Sequence, residues 1–255
     1  MDITLIISYR NRIKELCNCL TTAFTTSNID KVILIDAASN KETNTELQEF
    51  RLKWSKKSIR IVESFYRSSL SEAWNLGVML SDTRYVVFAS SDVNFLKSGW
   101  KEVFEESFNK SQQYVLIYNH AVFGLDKKLI TKIGWFDEGF GIGPHFDCDY
   151  MIRASEAGVL PSFVGDAGLY EHGDDLIISE KRATSEVEDR LPMNTIENEQ
   201  YFKSKWSSSW PGWVGHYNPA IGFPHPPTSI HGLTRLKAEI DPHPFYTQKF
   251  RELYP

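Results

Sequence analysis

The sequence predicts an α/β fold built on a mostly parallel central sheet. Two observations support this: short continuous apolar runs, typical of strands buried on both faces, and helical apolar patterns in the segments between them. Strands and helices that alternate in this way form βαβ units, whose strands pair in parallel.

Five apolar runs are predicted to be strands, at residues 3–7, 32–35, 58–62, 85–89 and 114–118. Apolar residues at three- and four-residue steps predict the intervening helices, around residues 13–24, 47–54, 70–80 and 99–109. The segment Ser69-Leu70-Ser71-Glu72 has the capping-box pattern, so we expect the third helix to begin at Leu70.

The second half of the chain is less regular. A glycine-spaced loop, 139–143, precedes a predicted short helix, 147–157, whose acidic first turn would meet the positive end of the helix dipole. Ten of the eleven prolines lie at or after Pro161, many of them in a tail that is also rich in tryptophan. We therefore predict that residues 207–255 wrap around the domain as an irregular extension without a core of their own.

Composition and charge exclude several classes of protein. The net charge is −5 without a basic stripe, so nucleic acid is not an expected partner. No stretch reaches the roughly 18 apolar residues of a membrane helix, which predicts no transmembrane segment and leaves only a peripheral membrane contact open. Three cysteines do not make a disulfide framework, which favours free thiols in a reducing, cytoplasmic compartment. The oligomeric state is not indicated.

Polar loops follow three of the predicted strands, at residues 8–12, 36–40 and 90–94. Ligands of open α/β sheets bind at the carboxyl ends of strands, so these loops are the first candidates for a site. Asp36 can accept a hydrogen bond from a base or ribose, or it can cap its own turn. Asp92 can bind a hard divalent cation that shares oxygen ligands with phosphates, or it can be another turn residue.

Other candidate residues lie later in the chain. Asp147 and Asp149 diverge by roughly 200° around a helix, so one can face a cleft as a general base while the other caps the helix or pairs with Arg153. Alternatively, both acids only stabilise the first turn of the helix. His172 can supply a nitrogen ligand to a metal, although a lone histidine is more often structural. Arg67, just before the third helix, can clamp a phosphate or remain a solvated loop residue.

The order of these segments along the chain resembles the GT-A glycosyltransferases of the family-2 type. The matching segments are 8–12 (SYRNR), 36–40 (DAASN), 70–77 (LSEAWNLG), 85–92 (YVVFASSD), 133–138 (IGWFDE), 146–149 (FDCD) with Arg153 after it, and 198–206 (NEQYFKSKW). The resemblance covers residues 1–206 and implies a Rossmann-like nucleotide-binding half, 1–98, and an acceptor half, 99–206. Residues 207–255 fall outside it.

The resemblance also implies an activity and a set of site residues. The expected reaction is inverting transfer of a sugar from a UDP- or GDP-sugar to a hydroxyl of a glycan or glycoconjugate, assisted by Mn²⁺ or Mg²⁺. Asp147 would be the catalytic base, and Asp92 and His172 would bind the metal. The nucleotide would be bound by Ser8, Tyr9, Arg10, Asp36, Arg67, Asn75 and Ser91. Acceptor contacts are expected from Trp135 and Asp149. Outside the resemblance, the aromatic rings of Trp210 and Trp213 can stack on the sugar rings of an acceptor, but packing of the tail onto the domain is the favoured interpretation of these rings.

Three positions depart from the family pattern. Ser90 replaces the first acid of the metal motif, which predicts a weak metal site that depends on bound substrate. Ala37 replaces a second acid after Asp36. Phe146 replaces the glutamate before the base, and we expect its apolar ring to raise the pKa of Asp147 by desolvation.

Two other classes of function stay open at this point. A nucleotidyltransferase that makes a nucleotide sugar would need a glycine-rich basic loop after the first strand, and the loop 8–12 contains no glycine. A non-catalytic module that binds nucleotide or carbohydrate is favoured only by the incomplete metal motif.

Overall fold

The computed structural model describes residues 1–64, 67–118, 120–164, 170–172 and 195–206. The predicted extension, with Trp210 and Trp213, lies outside the described residues. Within these ranges, no helix is both long enough and apolar enough to cross a membrane. Cys17, Cys19 and Cys148 are free thiols, as predicted.

A seven-stranded sheet forms the centre of the molecule, in the order β3-β2-β1-β4-β7-β6-β8. Its strands are β1 (Ile3–Tyr9), β2 (Lys31–Asp36), β3 (Ser58–Glu63), β4 (Tyr85–Ser90), β6 (Tyr114–Tyr118), β7 (Val122–Asp126) and β8 (Ser162–Phe163). Two short strands, β5 (Val93–Phe95) and β9 (Tyr170–His172), pair separately. The predicted halves 1–98 and 99–206 both contribute strands to the one large sheet.

Seven helices are described, and they cover both faces of the sheet. They are α1 (Ile13–Thr26), α2 (Lys41–Lys53), α3 (Leu70–Leu80), α4 (Trp100–Asn109), α5 (Lys128–Ile133), α6 (Phe146–Glu156) and α7 (Thr195–Trp206). The third begins at Leu70, as predicted, because Ser69 and Glu72 cap each other's backbone N–H groups.

The α/β class and the mostly parallel sheet are confirmed. Strands β1 to β4 pair in parallel, whereas β7 is antiparallel to both β4 and β6. The sequence analysis missed β7, whose centre is Gly124, a residue that weakens strand propensity. A side chain at this position would collide with the rings of Phe104 and Phe108, which pack against it.

Each central strand is buried on both faces, which explains its continuous apolar run. Alternate residues such as Ile6, Ile33 and Phe88 face a core shared with α3 and α6. Their neighbours, including Leu5 and Leu34, face a second core shared with α1 and α4. The two cores fix the sheet on both sides, so the loops at its carboxyl ends project from a rigid support.

We expect Gly77→Ala to destabilise the protein, although alanine normally favours a helix by about 1 kcal/mol. Gly77 lies in α3 where the helix touches β1, and a Cβ there would overlap the Cγ2 atom of Ile6 and lie 3.3 Å from its Cδ1 atom. Because Ile6 is fully buried, the overlap is not relieved cheaply, and the net loss should be about 1–2 kcal/mol. Urea unfolding measures it, and a gain in stability would contradict the packing.

Candidate active site

The carboxyl ends of β1, β2 and β4 meet at one rim of the sheet. Chain order reverses between β1 and β4, which makes this rim the switch point where open α/β sheets bind ligands. The loops after β1 and β2 are tied together: Asn11 N–H donates to Ser39 Oγ (2.7 Å), and Asn40 N–H donates to Asn11 Oδ1 (2.9 Å). The predicted nucleotide loops therefore form one connected surface.

The backbone of these two loops is strained. Asn11, Arg12 and Ala38 all have positive φ angles, between 52° and 61°. None of them is glycine, and a residue held in the left-handed region costs of order 1 kcal/mol. Strain of this kind persists where surrounding contacts fix the loop, and it is often found at ligand sites. The loops are therefore organised before any ligand arrives.

Tyr9 and Asp36 lie side by side at the ends of β1 and β2 and are almost fully buried. One carboxylate oxygen of Asp36 accepts the N–H of Ser39 (2.8 Å). The Tyr9 hydroxyl has no hydrogen-bond partner among the described residues. Burial, with the charges of Asp36 and Glu63 nearby, raises the pKa of Tyr9, so its hydroxyl stays protonated.

The other predicted nucleotide contacts are less deeply buried. Ser8 pairs in register with Ser90 across β1 and β4, and Ser91 follows directly. The Arg10 Nε–H group donates to the Ala38 carbonyl (3.4 Å), which links the first two loops again. Arg67 is half-buried two residues before the N-cap of α3. All four lie on loops or strand ends.

Asn75 has a different environment from the one expected for a nucleotide contact. Its side chain is fully buried in α3. The amide donates to the Phe136 carbonyl and to Glu138 Oε1, both at 2.8 Å, and it accepts the Phe136 N–H at 3.0 Å. Asn75 therefore fixes the loop 135–138 against α3, and we assign it this structural role.

Asp92 lies just after β4 and forms an ion pair with Arg12. Arg12 Nη1 is 3.3 Å from Asp92 Oδ2, and the Asp92 side chain is only 9% exposed. The antiparallel pairing of β5 with β9 places the backbone of His172 opposite Val93, the residue next to Asp92. The described residues contain no group of three acidic, histidine or cysteine side chains able to hold a metal.

A divalent cation fits this place only in part. Hard cations take about six oxygen ligands, and Asp92 offers one carboxylate, which already has Arg12 as a counter-charge. The remaining oxygens would have to come from a bound diphosphate and water. The weak, substrate-dependent site expected from Ser90 in place of an acid stays a prediction.

Asp147 occupies the first turn of α6, and its side chain is 31% exposed. Its carboxylate oxygen Oδ2 lies 3.5 Å from Nδ1 of His120, and Oδ1 accepts the N–H of Cys148 (2.9 Å). Desolvation alone would raise the pKa of Asp147, but His120 and the backbone N–H groups outweigh it, and the pKa is lowered.

The expected rise in the pKa of Asp147 was therefore wrong. The ring of Phe146 points into the core, where it packs edge-on against Trp74, while a polar imidazole faces the Asp147 carboxylate. Asp147 is ionised at neutral pH as a result, and it can accept a proton without first losing one.

A chain of contacts connects Asp147 to the nucleotide loops. At the end of β4, Ser90 N–H donates to the carbonyl of Ala121 (2.8 Å). Ala121 follows His120, whose ring faces Asp147. Asp92, two residues after Ser90, pairs with Arg12 of the first loop. These contacts bring the backbone of His172 and the side chains of Asp36, Asp92 and Asp147 to the same rim.

Two predicted acceptor contacts, Asp149 and Trp135, are buried instead. Trp135 is 3% exposed and belongs to the core. Asp149 is fully buried and pairs with Arg153 Nε (2.9 Å) and Lys205 Nζ (2.8 Å). Of the two alternatives left open for the second acid, a helix cap or a pair with Arg153, Asp149 adopts the pair. We do not keep either residue as an acceptor contact.

Sequence reasoning missed two charged or polar residues of the rim. Arg12 belongs to the first candidate loop, 8–12. Its partner Asp92 is 80 residues further along the chain, so no local sequence pattern predicts their pairing. His120 lies in the turn before β7, the strand that the sequence analysis did not find. Its proximity to Asp147 follows only from the antiparallel return of the chain.

Solved structures with the same architecture belong to the GT-A class. The mannosyltransferase PcManGT from Pyrobaculum calidifontis, in complex with GDP-Man and Mn²⁺, matches 64% of this chain and 55% of its own, with a TM-score of 0.58 and 14% identity. GalNAc-T7 with UDP, GalNAc and Mn²⁺ matches 67% and 43%, with a TM-score of 0.57 and 11% identity. TarS 1-349 from S. aureus matches 79% and 69%, with a TM-score of 0.57 and 14% identity.

At 11–14% identity, this similarity shows only that the fold is shared. The matched part of this chain covers about half the length of PcManGT and of GalNAc-T7. No curated protein sequence matches the chain closely enough to count as a relative. The family is nevertheless shown by the sequence itself, since the model of glycosyl transferase family 2 matches residues 4–171. The chain belongs to glycosyl transferase family 2, and its fold is GT-A.

Proposed function

We propose that the protein transfers a sugar, with inversion, from a nucleoside diphosphate donor to a hydroxyl acceptor. One observation supports this most strongly: an ionised, partly exposed carboxylate, Asp147, lies at the same rim as the pre-organised nucleotide loops and the Arg12–Asp92 pair. Family membership and the nucleotides and nucleotide sugars bound by the structural neighbours agree with it.

Asp147 is the proposed general base. As the acceptor oxygen attacks the anomeric carbon, the bond between that carbon and the diphosphate oxygen breaks on the opposite face. The acceptor proton passes to Asp147, and the nucleoside diphosphate leaves with the bonding electron pair. The ionised carboxylate is in the protonation state that a general base requires, although its lowered pKa makes it a weaker base than one with a pKa near the operating pH.

Arg12 and Asp92 are proposed to bind the diphosphate end of the donor. Arg12 brings a guanidinium, which suits phosphate oxygens, to the switch point. Asp92 and His172 would hold Mn²⁺ or Mg²⁺, which supplies a Lewis acid for the negative charge of the leaving group. Because the protein offers few ligands, we expect the cation to bind together with the nucleotide.

We assign the base of the nucleotide to the carboxyl ends of β1 and β2, at Tyr9 and Asp36. The neutral Tyr9 hydroxyl can donate a hydrogen bond, and the Asp36 carboxylate can accept one from uracil or guanine. Ser8, Arg10, Arg67 and Ser91 complete the proposed nucleotide contacts. The donor is therefore a UDP- or GDP-sugar.

The proposal also covers the acceptor and the location. A hydroxyl-bearing glycan or glycoconjugate fits the chemistry of Asp147, and the aromatic residues of the extension, among them Trp210 and Trp213, are the proposed sugar platforms. The free thiols support a cytoplasmic location.

We expect Asp92→Asn to remove the effect of the metal on nucleotide binding. In wild-type protein, UDP or GDP should raise Tm, and Mn²⁺ should raise it further, because ligands that bind only the native state stabilise it. In a thermal-shift assay, Asp92→Asn should keep the increase in Tm caused by UDP or GDP and lose the further increase caused by Mn²⁺. Asp82→Asn, which alters an exposed ion pair with Lys31, is the control. An unchanged Mn²⁺ increment in Asp92→Asn would remove Asp92 from the metal site.

Phosphorus NMR tests the proposed reaction itself. The protein is incubated with a panel of UDP- and GDP-sugars and the diamagnetic cation Mg²⁺, with water or simple glycosides as acceptors. Release of UDP or GDP is the expected result. Formation of pyrophosphate from nucleoside triphosphate and sugar phosphate would instead support a nucleotidyltransferase, and nucleotide binding without any turnover would support a binding module.

A further inference from the structure

His120 lies between a buried tyrosine and the proposed base. Its side chain is 6% exposed, and its ring packs edge-on against Phe123 at 5.0 Å between centroids. Nε2 forms a hydrogen bond with the Tyr114 hydroxyl, while Nδ1 faces Asp147 Oδ2 at 3.5 Å. The imidazole therefore has one polar contact on each side, and it is held in place by packing.

The Tyr114 hydroxyl can fix which nitrogen of His120 carries the proton, if it is the donor in their hydrogen bond. Tyr114 is fully buried, and this burial raises its pKa, so the hydroxyl keeps its proton and can donate it to Nε2. An imidazole that accepts at Nε2 carries its own proton on Nδ1. That N–H is then directed at Asp147.

We propose that His120 is a positioning residue that holds the Asp147 carboxylate in place and keeps it ionised, and that Tyr114 in turn holds His120. This inference rests on the proposed function, in which Asp147 is the base. Base side chains are commonly oriented by a third group, and here Tyr114 forms a hydrogen bond with His120, whose Nδ1 lies 3.5 Å from the Asp147 carboxylate.

Few of the described groups around His120 and Asp147 could themselves shift the acid limb of a pH–rate profile. Among the residues that the structure describes, the titratable and charged groups near the contact are Tyr114 from β6, Asp147, Cys148, Tyr150 and Arg153 from α6, and His145 just before α6. Burial raises the pKa values of Tyr114, Cys148 and Tyr150, so none of them ionises near neutral pH. His145 is the remaining titratable neighbour, and burial lowers its pKa.

Nitrogen-15 NMR of histidine-labelled protein tests the contact without any turnover. The His120 signals are those missing from His120→Asn. We expect them to show the proton on Nδ1, and we expect the Nδ1–H resonance to shift in Asp147→Asn and in Tyr114→Phe. A His120 spectrum that is the same in wild type and Asp147→Asn would overturn the proposal, even if wild-type protein is fully active.

Kinetics then test the positioning role. In His120→Ala, the Asp147 carboxylate loses the group that lowers its pKa, so the acid limb of kcat/KM should move to higher pH. At neutral pH kcat should fall roughly 10- to 100-fold, as for a misplaced catalytic group, with the donor KM unchanged. His120→Asn keeps an N–H donor near Asp147 and should recover part of kcat.

Tyr150→Phe is the matched control. It removes a buried hydroxyl from the same aromatic cluster, but this hydroxyl has no partner among the described residues. Its pH profile should match that of wild type. An acid limb that stays in place in both His120 variants would overturn the positioning role, whereas absence of nucleotide release by wild-type protein would refute the proposed reaction and leave the NMR result standing.

Discussion

Asp147→Asn should lower kcat by about 10²- to 10⁴-fold, the usual contribution of a general base, while nucleotide binding stays at the wild-type level. The amide is nearly the same size as the carboxylate, and its oxygen can still accept the Cys148 N–H group. It cannot take a proton from the acceptor. Steady-state nucleotide release measures kcat, and calorimetry with UDP or GDP measures binding.

Asp82→Asn provides the control for a lost carboxylate, since Asp82 lies at the opposite rim of the sheet and is 72% exposed. This variant should keep both activity and binding. If Asp147→Asn turns over at the wild-type rate, another group is the base. If it instead loses nucleotide binding, Asp147 belongs to the donor site.

Lys205→Met should cause the largest loss of stability among the substitutions considered. Lys205 of α7 reaches Asp137 and Asp149, and Asp149 also pairs with Arg153. The four charged side chains are 0–3% exposed. Two positive and two negative charges balance in this cluster, so removal of one ammonium leaves an uncompensated buried charge.

Breaking a buried ion pair in this way costs about 3–5 kcal/mol. For a chain of this size, that corresponds to a fall in Tm of roughly 10 °C. Differential scanning fluorimetry measures it. Lys203→Met, on the same helix, removes only an exposed pair with Glu199 and should cost less than about 1 kcal/mol. Equal Tm values for the two variants would contradict the docking of α7 through the buried cluster.

Other contacts of α7 support the loop next to the candidate site. Asn198 bonds the N–H and carbonyl of Gly141 and the carbonyl of Pro144. Tyr201 donates to Asp137. These contacts hold the loop that leads into α6, and α6 carries Asp147. A loosened α7 should therefore lower activity as well as stability.

Much of the fold could be predicted because local signals and tertiary structure agree. The strands β1 to β4 are uninterrupted apolar runs that the sheet buries on both faces, and the Ser69–Glu72 capping box marks the start of α3. Strand β7 was missed because Gly124 interrupts its short apolar run. That glycine is required by the rings of α4, which are far away in sequence.

Local sequence patterns also predicted only part of the candidate site. Asp36, Asp92 and Asp147 could be proposed from the sequence because each ends or follows a strand or lies at the start of a helix. The surroundings that decide the chemistry of these acids could not be predicted. Arg12, the partner of Asp92, and His120, the neighbour of Asp147, come from distant segments of the chain. For the same reason, burial of Trp135, Asn75 and Asp149 appeared only in three dimensions.

Hydrogen–deuterium exchange in the presence of UDP or GDP with Mn²⁺ tests the central claim most directly. If the rim of β1, β2 and β4 binds the donor, the amides of residues 8–12, 36–40 and 90–94 should become protected on addition of the nucleotide. Protection confined to another surface, such as the groove between α2 and β3 lined by Arg51 and Lys57, would contradict it.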